Sequence, residues 1–203
     1  MVELYWIPLG AGGQCVRRVG RVYEALHRSR RPLYHAALVV ELDGARYAVE
    51  LAPSPDEDHA SRGVVATGAV GSRRLERIRL FRYELRCWRG GVIPDLGYAV
   101  GGPQQLVADP RRVLDCVANV PTPVWGRDEL RTGEMWNSNS VIAWVLAAAG
   151  LPADGLTPPG DGRAPGWRAG LAAAKSKECA TTGSSATSSG NGSPATAITR
   201  STG

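Results

Sequence analysis

The sequence predicts an α+β domain in which helices pack on one antiparallel sheet, and three stretches predict it. Residues 31–53 read as a β-hairpin, with two apolar and β-branched runs around Asp43-Gly44, a strong hairpin turn signal. Residues 75–88 alternate Ile78, Leu80, Arg82 and Glu84 against Arg79, Phe81, Tyr83 and Leu85, the period of a long strand that ends at Gly90-Gly91. Residues 137–150 read as a helix, with Asn137 or Ser138 as its cap and Gly150 and Pro152 as its stop.

The remaining elements follow in chain order. Val2 to Pro8 alternates as a short strand. Gly10 to Gly13 is a loop. Cys15 to Arg28 places Val16, Val19, Tyr23 and Leu26 at helical spacing, so residues 1–30 form an N-terminal strand and helix. A strand, a glycine-rich loop and a helix invite a phosphate cradle, but Cys15 stands where the dinucleotide fingerprint needs glycine, and no acidic residue follows at the usual interval. Residues 54–74 are loop-like; His59 lies there among Asp56, Glu57 and Asp58, which reads as a solvated acidic loop before it reads as a metal site. Asp109-Pro110 opens a helix whose apolar face is Val113, Leu114 and Val117, and Pro121-Thr122-Pro123 closes it. Residues 156–167 form a Pro/Gly-rich surface wrap. The single domain is expected to span 1–171, and the Ser/Thr/Gly/Ala-rich residues 172–203 to be a disordered tail.

Composition narrows the function. With 203 residues and 43% apolar residues the chain can bury a real core. The net charge of +5 comes almost wholly from scattered arginines, because Lys175 and Lys177 are the only lysines. No basic run interleaved with aromatics points to nucleic acid. Cys15, Cys87, Cys116 and Cys179 are far apart and form no C-x-x-C, which removes zinc-ribbon and thioredoxin-like readings. The N-terminus lacks a basic lead, and no apolar run approaches ~20 residues. A cytoplasmic protein with reduced thiols is expected, without cofactor, metal or transmembrane segment.

Chemistry enters through the hairpin. With a two-residue turn Leu42 pairs with Ala45, so that Ala37 faces Glu50 and His35 faces Ala52. His35 and Glu50 then lie on one face as diagonal neighbours, roughly 7–8 Å apart at the backbone. An imidazole beside a carboxylate is the base and orienter of a catalytic triad; an edge histidine and a solvated glutamate are the plainer reading. In the helix at 137–150, Ser138 falls on the stripe of Val141, Ile142, Val145 and Ala149, and Ser140 points nearly the opposite way. Ser138 is thus aimed at whatever the helix packs against. Simple capping explains the same residue types without chemistry.

Together the two segments resemble the circularly permuted papain-like branch of the NlpC superfamily, the lecithin–retinol acyltransferase-like proteins. Arg31 to Tyr34 leads into His35, Asp43-Gly44 turns the hairpin, and Glu50 precedes Leu51-Ala52-Pro53. Asn137-Ser138-Asn139-Ser140-Val141-Ile142 stands where that family carries its Asn-Cys motif at a helix start. Residues 1–171 are also similar to proteins of high-GC bacteria. The resemblance implies a permuted papain-like fold and an amide or ester hydrolase or acyltransferase, with a small-molecule, lipid or peptide acyl substrate. It makes His35 the base, Glu50 the orienter and Ser138 the nucleophile, with N–H groups around Asn137 and Asn139 for the oxyanion.

Two departures matter. Glu50 replaces the family's second histidine, and Ser138 replaces its cysteine. A cysteine there would be a ready thiolate, whereas a serine needs His35 to take its proton during attack. Gly13-Gln14-Cys15 resembles the start of the unpermuted cell-wall amidases, which makes Cys15 a rival nucleophile; as a small core residue it needs no such role. Three functions are therefore open: serine acyl chemistry, a thiol amidase, or a catalytically inactive module binding a lipid, a peptide or a partner protein.

Overall fold

The computed structural model describes residues 1–11, 31–53, 63–93 and 95–184. The helix expected from Cys15, the His59 loop and residues 185–203 lie outside the described residues. The fold is α+β. Strands β1 (Val2–Pro8), β2 (Tyr34–Leu42), β3 (Ala45–Pro53), β4 (Val64–Ala69), β5 (Arg82–Arg89) and β6 (Gln104–Leu106) form one sheet in the order β4-β5-β3-β2-β1-β6. Every neighbouring pair is antiparallel.

The β2–β3 turn is the expected one. Asp43 and Gly44 both have positive φ, 50° and 73°, the backbone of a two-residue primed turn. Leu42 pairs with Ala45, and the ladder runs to Leu38 opposite Val49. There it stops. β3 continues beside β5 as far as Pro53 opposite Tyr83, and β2 continues beside β1. The expected pairs Ala37/Glu50 and His35/Ala52 are not part of the β2–β3 ladder, because the two strands part before reaching them.

Residues 75–88 do not form one long strand. Arg73–Leu75 and Arg79–Phe81 are single 3-10 turns, and β5 begins only at Arg82. The reason is loss of partners on both sides. β4 ends with Ala69 opposite Arg82, and β3 ends with Pro53 opposite Tyr83. Upstream of Arg82 the Phe81 carbonyl still accepts from the Val70 N–H, but among the described residues neither ladder continues further to satisfy an extended backbone. β4 arises inside the stretch 54–74 that reads as loop from sequence.

Three helices, α1 (Pro110–Val117), α2 (Ser138–Ala148) and α3 (Trp167–Ser184), follow the strands. α1 starts as expected: the Asp109 carboxylate accepts from the Arg111 N–H, and Pro110 takes the first helical position. α2 is buried over Asn139 to Leu146, so it is apolar all round and has no wet side. Ser140, expected to face away from the core, is fully buried. α3 continues past residue 171 and buries Ala173 and Ala174, so the structured part of the chain extends beyond the expected boundary. Helix α2 packs on the face of the sheet carrying Leu4, Ala36, Leu38 and Val49. A smaller cluster of Ile7, Ala37, Val39 and Ala48 on the other face is covered by Ile93 and the turn Leu96–Tyr98. No helix among the described residues is long and apolar enough to cross a membrane.

The α2–α3 contact is close because Gly170 lacks a side chain. A Cβ there would run into the Ser140 carbonyl oxygen and approach the Ala143 methyl at 2.9 Å. Gly170→Ala is expected to destabilise the domain by about 1–3 kcal/mol, as overpacking of a dense interface does. Urea unfolding measures it; a variant as stable as the parent would show that the two helices separate freely.

Candidate active site

The site sits where β2 loses β3. The Leu9 N–H donates to the Leu33 carbonyl, so the peptide groups of odd-numbered β2 residues face β1 and those of even-numbered residues face β3. Beyond Leu38, among the described residues, no strand lies beside the even-numbered groups of β2, and only the Tyr34 N–H finds a backbone partner, the Arg163 carbonyl. The Asn139 side chain takes that place. Its Oδ1 accepts from the Ala36 N–H at 2.7 Å, and its Nδ2 donates to the Tyr34 carbonyl at 2.9 Å. Nδ2 also donates to the Pro165 carbonyl at 2.9 Å. Asn139 is buried, and its carboxamide clamps the start of α2 to β2 on either side of His35.

The clamp sets one residue of α2 beside one residue of β2. Ser138 Oγ lies 2.9 Å from His35 Nδ1. Burial pushes the imidazole down to about 4, against an opposing pull from the Asp95 carboxylate. The residue nevertheless keeps part of its surface open to the cavity in front of it. At neutral pH the ring is uncharged. With its proton on Nε2 it accepts the Ser138 hydroxyl at Nδ1, which is the arrangement of a nucleophile and its base.

Glu50 lines the same cavity but is engaged elsewhere. Its Oε1 accepts from Arg86 Nη1 at 3.2 Å, across the Glu50/Arg86 register pair of β3 and β5. Arg86 Nε and Nη2 both lie 3.0 Å from Glu84 Oε2, and Glu84 is fully buried. Burial pushes the Glu50 carboxyl up, Arg86 pulls it back, and Asp95 adds to the upward push. The cavity has a volume of about 290 Å³. His35, Glu50, Arg86, Asp95 and Ser138 are its polar features, and Ile7, Leu51, Ile93 and Trp125 are among its apolar walls.

The first turn of α2 is used more fully than its sequence suggests. Asn137 is the cap: its Oδ1 accepts from the N–H groups of Asn139 and Ser140 at 2.9 and 3.3 Å, and Ser140 Oγ accepts from the Asn137 N–H at 3.0 Å. Asn137 Nδ2 donates to Pro165 O, and Ser140 Oγ donates to Gly166 O. The side chains of Asn137 and Asn139 and the Asn139 N–H are therefore committed to positioning the helix start. The Ser138 N–H has no acceptor among the described residues and is the first-turn donor left for an oxyanion.

His35 and Ser138 are thus brought together, and Glu50 is placed in the same cavity with Arg86 as its partner. Cys15 lies outside the described residues. Arg86, Glu84, Asp95 and Trp125 are site residues that the sequence reading missed. Glu84 and Arg86 carried a signal, two charged residues on one side of a strand otherwise rich in apolar side chains. Asp95 and Trp125 lie outside the strands and helices, where no periodicity marks them. Among the described residues no cluster of three or more His, Cys, Asp or Glu is arranged to hold a metal ion. No protein-family model matches the chain, and no curated protein or solved structure matches it.

Asn139→Ala leaves the Ala36 N–H and the Tyr34 carbonyl buried without their partner, an expected loss of about 2–4 kcal/mol. Urea unfolding checks this, and a loss below the size of an ordinary surface substitution would mean that water replaces the amide. A second expectation concerns pH. The His35 ring binds its proton near 6.5 in the unfolded chain and near 4 in the folded one. The unfolded state therefore binds more protons between those values, and this contribution to stability, complete above the upper value, is lost as pH falls through the window. In His35→Gln that component is absent, so its stability falls less than the parent's over the same window. Parallel slopes for the two proteins would contradict the burial of the ring.

Proposed function

We propose that the chain is an acyl-transfer enzyme, an amide or ester hydrolase or an acyltransferase, with Ser138 as nucleophile and His35 as general base. The observation that carries this reading is the 2.9 Å contact between Ser138 Oγ and His35 Nδ1 at the wall of a cavity. Ser138 Oγ attacks the substrate carbonyl carbon while its proton moves to Nδ1. The carbonyl oxygen becomes an oxyanion within reach of the Ser138 N–H at the start of α2. The bond to the leaving group then breaks, and His35 returns the proton to it. A water or an acceptor alcohol or amine, deprotonated by His35, then attacks the acyl carbon, the bond to Ser138 Oγ breaks, and His35 returns the proton to Oγ. The apolar walls and the small volume suit a short or slender acyl chain. The order of the parts, histidine strand first and nucleophile helix last, is that of the permuted papain-like branch that the two motifs resemble, and it supports the reading.

Two specific observations favour a second reading, a binding module without chemistry for a lipid, a peptide or a partner. A base held near 4 is weak at neutral pH, and the carboxylate expected to orient it is bonded to Arg86. The thiol amidase reading rests on Cys15.

A fluorophosphonate probe followed by peptide mass spectrometry separates these readings. The first expects a phosphonyl adduct on Ser138, lost in Ser138→Ala and in His35→Ala. It also expects ester turnover to fall roughly a thousandfold or more in Ser138→Ala, with the melting temperature retained. A folded parent protein that takes no label and turns over no ester favours the binding module. Turnover that survives Ser138→Ala but stops in Cys15→Ala moves the nucleophile to Cys15.

A further inference from the structure

The turn that replaces the expected long strand carries its own chemistry. From Arg73 to Arg82, the first residue of β5, the sequence runs Arg-Arg-Leu-Glu-Arg-Ile-Arg-Leu-Phe-Arg, with five arginines and Glu76 as the single acid. The two 3-10 turns gather Arg73, Arg74, Arg77 and Arg82 around one open hollow together with Thr67 and Glu76. Arg73 is bonded to Glu129, and the Arg82 guanidinium donates to the carbonyls of Glu76 and Arg77, which folds the turn. Arg74 and Arg77 are exposed on its surface. The apolar residues between them are exposed as well: Ile78 keeps 51% of its surface in water and Leu80 keeps 81%.

We propose that residues 73–82 form a docking surface for an anionic lipid bilayer, with the arginines on phosphate headgroups and Ile78 and Leu80 inserted among the acyl chains. Charge alone would suit any polyanion. The two large aliphatic side chains decide between them, because they gain from leaving water only where the anions border an apolar phase. A single-stranded nucleic acid would instead need stacking surfaces, and Phe81, the aromatic residue of this turn, is half-buried. The turn is also tied to the cleft: the Gly71 N–H donates to the Trp125 carbonyl, and Trp125 lines the cavity. Docking here would hold that wall of the cleft near the lipid, whether or not Ser138 is chemically active.

The test is flotation of the 203-residue chain with vesicles of phosphatidylcholine alone or of phosphatidylcholine with phosphatidylglycerol, at low and at raised salt. The expected result is capture by the phosphatidylglycerol vesicles only, weakened by salt. Binding is expected to weaken roughly tenfold or more in the Arg74→Ser/Arg77→Ser variant, and to weaken also in Leu80→Ser. The melting temperature is expected to be unchanged in both, and Leu80→Ala serves if either fails to fold. Failure of the parent to float with anionic vesicles overturns the proposal. So does equal flotation of the parent and the Leu80 variants, or release by inorganic phosphate at an ionic strength where sodium chloride releases nothing, which would assign the hollow to dissolved phosphate. Tighter binding to an oligonucleotide than to the vesicles, indifferent to Leu80, would assign it to nucleic acid.

Discussion

The Asn139 carboxamide stands in for a missing strand, and the geometry of the cleft depends on it. A buried peptide group left without a partner costs about 1–3 kcal/mol. β2 would carry two such groups, the Ala36 N–H and the Tyr34 carbonyl, once β3 turns away to follow β5. A primary amide offers one acceptor and one donor side by side, which is what one residue of a parallel neighbour would have offered to the two groups flanking His35, as Arg163 does to those flanking Leu33. Because Tyr34 and Ala36 flank His35, and because Ser138 precedes Asn139, the clamp that repairs the sheet also sets the hydroxyl against the imidazole. Repair and juxtaposition are one event.

The parting of β2 and β3 has a second consequence. It opens an apolar cavity between strands that still carry ionisable groups, and there the cost of charge dominates. The imidazole is held neutral, and the Glu50 carboxyl is pushed up by burial even though Arg86 is bonded to it. Arg86 is shared between Glu50 and the fully buried Glu84, so one guanidinium serves two carboxylates on neighbouring strands. Removing one member of such a cluster leaves an uncompensated buried charge. Glu50 therefore belongs to the scaffold of the cleft, and Asp95 is the carboxylate that acts on His35 through space.

Partner loss also explains the surface. β5 starts at Arg82 because β3 and β4 both end opposite its first residues. The alternating residues upstream keep the composition of a strand, but among the described residues neither ladder reaches them. They coil into two short turns that leave Ile78 and Leu80 in water among arginines. The arginines of this one contiguous run are thereby gathered around a single hollow.

Local rules were legible in the chain. Asp43-Gly44 determined the hairpin turn and its register, since only a primed turn suits the twist of the two strands. Asp109-Pro110 determined where α1 begins, and Asn137 with Gly150 determined the limits of α2, because caps act within one turn. His35 and Ser138 were legible as candidates because each lies at a marked place on such an element. What each faces was not legible. Helical angle set Ser140 nearly opposite the stripe of Ser138, yet it is buried too, its hydroxyl bonded to the Gly166 carbonyl before α3, since a helix enclosed on every side no longer obeys a two-sided pattern. Strand alternation extended β5 to Leu75, yet a strand persists only while a neighbour does. The pairing of Glu50 with Arg86, the place of Asp95 and the use of Asn139 as a surrogate strand depend on contacts between segments far apart in the chain. Sequence alone determined which residues can turn, cap and alternate, because those preferences are settled by a residue and its nearest neighbours. The tertiary structure decided which groups meet, because that depends on where each strand runs out of partners.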